Sequence, residues 1–218
     1  MPKVLILVEG LSEEIFVKRT LAPHLSAHNV FPIPSILWTK REKKGGGFRG
    51  GVTSYDQIRR DVVNLLSDTS AIRVTTLLDF YGLPHDFPGK AALATANAIL
   101  RVSALEQAFA TDINHQRFCP FLTLHEFEAW LFSAPAVVAN HFAKAYLEGQ
   151  LQNIADTAGG PELINEHPNS HPKERISRLV PSYKETSDGP VICSKIGLNI
   201  IRQGCPHFHD WLSALENL

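Results

Sequence analysis

Near the start of the sequence, Val4 to Val8 form an unbroken apolar run that stops at Glu9-Gly10. A short run of this kind, rich in β-branched residues, predicts a strand buried on both faces, as in a parallel sheet. Ser12 is a good N-cap, and Glu13 and Glu14 fall in the first helical turn, where the helix dipole favours carboxylates. Ile15, Phe16, Arg19, Leu21 and Leu25 continue the helical pattern to about His28. Val30 to Trp38 reads as a second extended segment, and Pro32 and Pro34 place it at a sheet edge. Ser54 caps a helix running through Ile58, Val62, Leu65 and Leu66, and Val74 to Leu78 is a third apolar strand ending abruptly at Asp79. A proline- and glycine-rich loop, Tyr81 to Gly89, leads into an alanine-rich helix from about Lys90 to Ala110. Phe118 to Leu124 is a fourth strand candidate, and the stretch from His125 to Phe132 starts the next helix.

Four strands alternating with helices predict an α/β fold around a mostly parallel four-stranded sheet flanked by helices. From about Pro135 the pattern is helical, with breaks at Gly159-Gly160-Pro161 and at 167–172. Lys173 opens a helix that should stop near Pro181, and Cys205-Pro206 precedes a last amphipathic helix through Trp211, Leu212 and Leu215. The expected organisation is an α/β core over residues 1–134, with a helical C-terminal extension, 135–218, packed on it as one unit. Trp38, Trp130 and Trp211 lie in apolar patterns and are expected in the core.

The 218 residues are 44% hydrophobic and 20% charged, enough to bury a core without covalent staples. Twenty-one basic against 22 acidic residues leave a net charge of −1, which excludes a histone-like mode of binding by bulk charge. Cys119, Cys193 and Cys205 are odd in number and widely spaced, which suits a reducing cytoplasm better than a disulfide framework. No apolar run approaches the roughly 18 residues needed to span a bilayer, and the first acid comes too early for a signal peptide. The expectation is a cytoplasmic protein with no membrane partner. There is no GxxxxGK[ST] loop, no GxGxxG after the first strand and no GxSxG elbow.

One segment departs from this even charge distribution. Residues 40–51 carry five basic residues against one acid among five glycines, predicting a flexible cationic loop. Lys40, Arg41, Lys43, Lys44 and Arg49 there are suited to a phosphate backbone, with Phe48 placed to stack on a base. The alternative is a solvated surface loop.

The chemistry-bearing coincidence is that acids stand at the C-terminal ends of three apolar strands: Glu9 after the first, Asp79 after the third and Glu126 just beyond the fourth. In open α/β sheets the ligand crevice lies outside those ends, and Glu13, one turn into the first helix, can look back into it. Converging carboxylates repel unless protonated or bridged by a cation, and hard oxygen donors suit Mg²⁺ or Mn²⁺. The plain alternative is that strand ends emerge into water and that Glu13 and Glu14 stabilise a helix N-terminus. The Cys205, His207, His209 and Asp210 cluster has zinc-ligand donor types, but its place at the start of an amphipathic helix points to packing.

The segment VEGLSEE (8–14) after a buried strand resembles the first motif of Toprim domains, the fold shared by topoisomerases, primases and OLD-family nucleases, and LDFYGLP (78–84) stands in the place of the Toprim DxD motif. More closely, the chain is similar to the bacterial family designated DUF4276, related to Toprim, through VEGLSEE, FRGGVTSY, LLDFYGLPHDFPG, LHEFEAWLF, PKERISRLVPSYKE and GCPHFHDWL. The resemblance implies a Toprim-like, Rossmann-like core and a Mg²⁺- or Mn²⁺-dependent nuclease cleaving DNA or RNA. Glu9 would be metal ligand or general acid/base, Glu13 the second acid of nuclease-type Toprim domains, and Asp79 the first aspartate of DxD. Tyr81 stands where the second aspartate belongs, so Asp86, Glu126 or Glu128 would have to replace it, Glu126 being preferred. In a regular helix Glu126 and Glu128 would point about 200° apart. Lys173 would add a further electrophile, the alternative being an ordinary solvated lysine, and His125, beside Glu126, would polarise a phosphate or hold a carboxylate, the alternative being a structural role. Some Toprim nucleases act beside an ABC-type ATPase in defence against phage, and with no P-loop in this sequence that ATPase would be a separate protein. Two other readings stay open: a non-catalytic Toprim-like partner or nucleic-acid-binding subunit, favoured by Tyr81, and a metal-dependent phosphotransfer enzyme on a small substrate.

Overall fold

In the structure, a computed structural model, residues 2–37, 54–92, 97–164 and 170–218 are described. Trp38 and the cationic loop, with Lys40, Arg41, Lys43, Lys44, Phe48 and Arg49, lie outside the described residues. Strand β1 (Lys3–Val8) runs between β2 (Phe31–Ile36) and β3 (Ala71–Asp79), and β3 in turn pairs with β4 (Phe118–Cys119) and β5 (Leu122–Thr123), every pairing parallel. This is the α/β class expected from the sequence, a parallel sheet flanked by helices. β1 is central because successive side chains of an extended strand point to opposite faces and all of them find a core. Val4, Ile6 and Val8 pack with Phe16, Leu21, Phe127 and Trp130 on one face, while Leu5 and Leu7 pack with Ile58, Val62, Val74, Val102 and Phe109 on the other. β2 takes the edge, in register Val4 to Pro32 and Ile6 to Pro34, as two residues without an N–H require.

Four local expectations are revised. The first helix, α1 (Leu11–Phe16), is capped at Gly10 rather than Ser12, because the Glu13 carboxylate reaches back to accept from the Gly10 N–H at 2.9 Å. It continues through a π-helical stretch (Val17–Leu21) into α2 (Ala22–Ala27). The fourth strand is split into β4 and β5 around Pro120. At that break the Thr76 hydroxyl stands in for the ladder, donating to the Phe121 carbonyl at 2.7 Å and accepting from its N–H at 3.0 Å. After α3 (Tyr55–Leu66), the expected long helix from Lys90 is a short 3₁₀ turn there, and α4 (Ala98–Ile113) starts only at its Asn97 cap. Finally, the segment after β5 is a 3₁₀ helix (Phe127–Ser133) entered through His125 at φ +65° and an extended Glu126.

The rest is helical: α5 (Pro135–His141), α6 (Tyr146–Ala158), α7 (Pro172–Leu179), α8 (Glu185–Ile196), α9 (Leu198–Gly204) and α10 (Pro206–Glu216). Leu147, Ile176, Ile192, Ile201, Phe208 and Trp211 from this region are buried in the same cluster as the Val4 face of β1. The Trp211 indole donates to Thr75 Oγ1 of β3 at 3.0 Å. These helices cover the sheet face beside the carboxyl ends of β1 and β3, and α7 and α8 bring distant residues to that rim.

Candidate active site

Two strand ends set the frame. Adjacent and parallel, β1 and β3 release the chain side by side, so Glu9 and Asp79 emerge next to each other and the Asp79 N–H points at Glu9 Oε2, 3.4 Å away. Asp79 Oδ1 accepts from the Thr123 hydroxyl at 2.6 Å and from the Phe127 N–H at 3.0 Å, which fixes its rotamer. Glu13 joins from the first turn of α1, buried, with one oxygen spent on the Gly10 N–H. The helix-cap role expected as the plain alternative for Glu13 is therefore filled, while its carboxylate still faces Glu9.

Glu126 and Glu128 approach from the other side, both buried. Because Glu126 is extended rather than helical, the two acids are not thrown to opposite sides. Charge repulsion links Glu126 to Glu9 and to Glu128, and Glu128 to Asp79. Glu126 Oε2 lies 2.8 Å from His171 Nδ1 and accepts from the Lys173 N–H at 3.0 Å, at the N-terminus of α7. Glu128 Oε1 accepts from the Tyr183 hydroxyl at 3.0 Å. Glu185, opening α8, forms an ion pair with the Lys173 ammonium, and its backbone carbonyl accepts from Ser12.

Burial dominates the electrostatics of this cluster. It pushes Glu13 up to about 7, with Glu9 adding repulsion, and Glu128 up to about 8, with Glu185 and Glu126 adding theirs. Asp79 is driven well above the usual carboxylate range by burial and then by Glu9, Glu13 and Glu128, and Glu9 is raised mainly by burial. For Lys173, burial works against the charged form, but Glu185, Glu128 and Glu126 outweigh it and raise its pKa, so it stays an ammonium at neutral pH.

Glu9, Glu13, Asp79, Glu126 and Lys173 thus come together. His125 takes another place: it is buried, its ring packs edge-on to Phe80 with centroids 6.4 Å apart, and its carbonyl accepts from the Tyr81 N–H. The imidazole touching Glu126 belongs to His171, which sequence reasoning treated as part of a loop break; its position just before Pro172 at a helix start is the signal that marks it as a cap. Tyr81, 40% exposed, stacks on His171 with ring centroids 5.1 Å apart. Asp86 is spent elsewhere, both its oxygens accepting from the Tyr55 N–H at the start of α3. His207 and His209 pair with Glu106 and Arg202, and Cys205 lies against Ser133, in agreement with packing.

The donors in this crevice are carboxylate oxygens, hard ligands that fit Mg²⁺ or Mn²⁺. Among the described residues, the group of three whose ligand atoms all lie within 4.8 Å of one another is His24, His28 and Glu216, away from the crevice. The crevice acids form no such close group among the described residues, so gathering them round an ion requires side-chain movement.

An α/β chain with acids converging at the carboxyl ends of parallel strands defines the class. The chain belongs to the DUF4276 family, described as a domain of unknown function, whose model matches residues 8–216. No curated protein matches it. Among solved structures it is similar to the C-terminal region of the OLD protein of Xanthomonas campestris pv. campestris, at 14% identity over 100% of this chain and 99% of that one, with a TM-score of 0.35. Among the described residues no helix is long and apolar enough to cross a membrane.

Proposed function

We propose that the chain is a Toprim-like nuclease that hydrolyses phosphodiester bonds in DNA or RNA with Mg²⁺ or Mn²⁺. The reading rests on one observation: Glu9 and Asp79, at the ends of neighbouring parallel strands, converge with Glu13, Glu126 and Glu128 in a buried crevice where Lys173 is the nearby cation. Glu9, Glu13, Asp79 and Glu126 would hold the ion, with Glu128 supplying the carboxylate that Tyr81 does not. When bound, a divalent ion neutralises the scissile phosphate and lowers the pKa of an attacking water. Thr123 and the Phe127 N–H orient Asp79, and His171 together with the α7 N-terminus orients Glu126. Lys173, which stays charged, would exchange Glu185 for a phosphate oxygen and neutralise charge developing there. Residues 40–51 would follow the nucleic-acid backbone, and a separately encoded ABC-type ATPase would be a partner, in a setting of antiphage defence.

The test is cleavage of single- and double-stranded DNA and RNA in Mg²⁺ and Mn²⁺ by wild type, Glu9→Gln and Asp79→Asn. Cleavage lost in both variants at unchanged melting temperature supports the reading; cleavage unaffected by Asp79→Asn sinks it. A second reading, a non-catalytic nucleic-acid-binding partner, is favoured by Tyr81 lying stacked on His171 where a second metal-binding aspartate would stand. It predicts salt-sensitive binding of oligonucleotides with no cleavage in either metal.

A further inference from the structure

At the opposite end of the first helical run from the carboxylate crevice, His24 and His28 meet Glu216. His24 lies thirteen residues beyond Leu11, roughly 20 Å along a helix rising 1.5 Å per residue. His24 in α2 and His28, the residue that caps it, are four apart in sequence, and their rings lie together with centroids 5.1 Å apart. Glu216 reaches them from the end of α10, and its Oε1 lies 2.6 Å from His24 Nε2. One ligand atom from each residue lies within 4.8 Å of the other two.

We infer that His24, His28 and Glu216 form a second metal site, for a borderline transition ion such as Zn²⁺ or Co²⁺, that ties α2 to α10. Three features carry this. Two imidazoles four apart on a helix with one carboxylate from a separate element are a three-ligand set with a position left open for water. The Glu216 carboxylate is held in place: Arg202 Nη1 donates to Oε1 at 2.8 Å and Nη2 to Oε2 at 3.1 Å, while Arg202 Nε donates to His209 and Nη2 also to Ser213. The same guanidinium offsets the carboxylate's charge, so selection at this site rests on imidazole nitrogen rather than on negative charge. That favours ions high in the Irving–Williams order over Mg²⁺ or Ca²⁺, the reverse of the crevice. An ion bound here would take the place of the hydrogen bond between His24 Nε2 and Glu216 Oε1.

The experiment uses tag-free full-length protein stripped with chelator and titrated with Co²⁺ in excess Mg²⁺, followed by visible absorption. The variants are His28→Ala, at an exposed position; Cys119→Ser, which removes the exposed thiol; and Glu9→Gln with Asp79→Asn. One equivalent is expected to bind wild type with a Kd at or below about 10 μM. Binding should weaken at least about tenfold in His28→Ala and stay unchanged in the other two. Zn²⁺ should then raise the melting temperature of wild type and not of His28→Ala. Binding weaker than about 100 μM, binding indifferent to His28→Ala, or binding lost with the crevice acids or Cys119 instead would each overturn the assignment. The result is independent of the nuclease reading, since neither arm measures cleavage.

Discussion

A β-carbon placed on Gly82 would lie 3.2 Å from Glu9 Oε1 and 3.3 Å from Oε2, so the loop after β3 leaves just enough room for the Glu9 carboxylate. The contact is with the movable end of a side chain, which can give way. Gly82→Ala is therefore expected to fold with a melting temperature close to wild type while displacing Glu9 within the crevice. If Glu9 is a metal ligand, Mn²⁺ affinity measured by calorimetry should fall about tenfold, the scale of a 1.4 kcal/mol misplacement. Unchanged affinity would mean that Glu9 holds no ion.

The pH dependence of stability follows from the same crowding. Glu13 and Glu128 are raised from 4.5 to about 7 and about 8 by burial and by neighbouring acids. The folded chain thus keeps protons that the unfolded chain releases, and the stability they bring is full below pH 4.5 and lost as pH rises through 7 to 8. While a group is in that window, the loss is about 1.4 kcal/mol per pH unit. In chelator, the melting temperature should fall between pH 5 and pH 8, and Mn²⁺ should reduce that fall. A flat profile in chelator would show that burial and neighbouring acids do not hold these carboxyls protonated in the folded chain.

Glu128 allows the repulsion to be measured at one position. A glutamine there keeps the size and the oxygen that accepts from Tyr183 but cannot carry a charge. Glu128→Gln is expected to raise the melting temperature at pH 8, the gain in stability growing by about 1.4 kcal/mol for each pH unit above 5, and to change little at pH 5. It should weaken Mn²⁺ binding at both. A lower melting temperature at pH 8 would instead mark Glu128 as a carboxylate stabilised in its charged form.

The parts of this arrangement that could be read from the sequence are those set by short-range pattern. β1 is a continuous apolar run and β3 an apolar stretch interrupted by Thr75 and Thr76, each meeting an acid at its end, and both faces of each found a core, so Glu9 and Asp79 were placed by strand position alone. Pro32 and Pro34 put β2 at the edge for want of N–H donors. The far side of the crevice was not legible in the same way. His171 and Glu185 lie 45 and 59 residues after Glu126 in the numbering and arrive by helix packing, which no local spacing encodes. The orientation of Glu126 depended on His125 adopting φ +65°, a left-handed turn that the apolar pattern of 127–132 hides behind a helical period. Pro120 was the visible sign that the strand through 118–124 would break, but the hydroxyl that repairs the gap belongs to Thr76.

Tyr81 separates the two readings of the site. Its ring stacks on His171, and His171 in turn contacts the carboxylate of Glu126. Removing the ring frees the imidazole and loosens Glu126, whereas phenylalanine keeps the stack. Aromatic stacking of this kind is worth about 0.5–1.5 kcal/mol, so Tyr81→Ala is expected to lower Mn²⁺ affinity and cleavage about three- to tenfold, with Tyr81→Phe near wild type. If the crevice is a nucleic-acid-binding surface without catalysis, Tyr81→Ala instead weakens oligonucleotide binding and leaves Mn²⁺ affinity where it was. Measuring both affinities on the same three proteins distinguishes a ring that props a metal ligand from one that meets the nucleic acid itself.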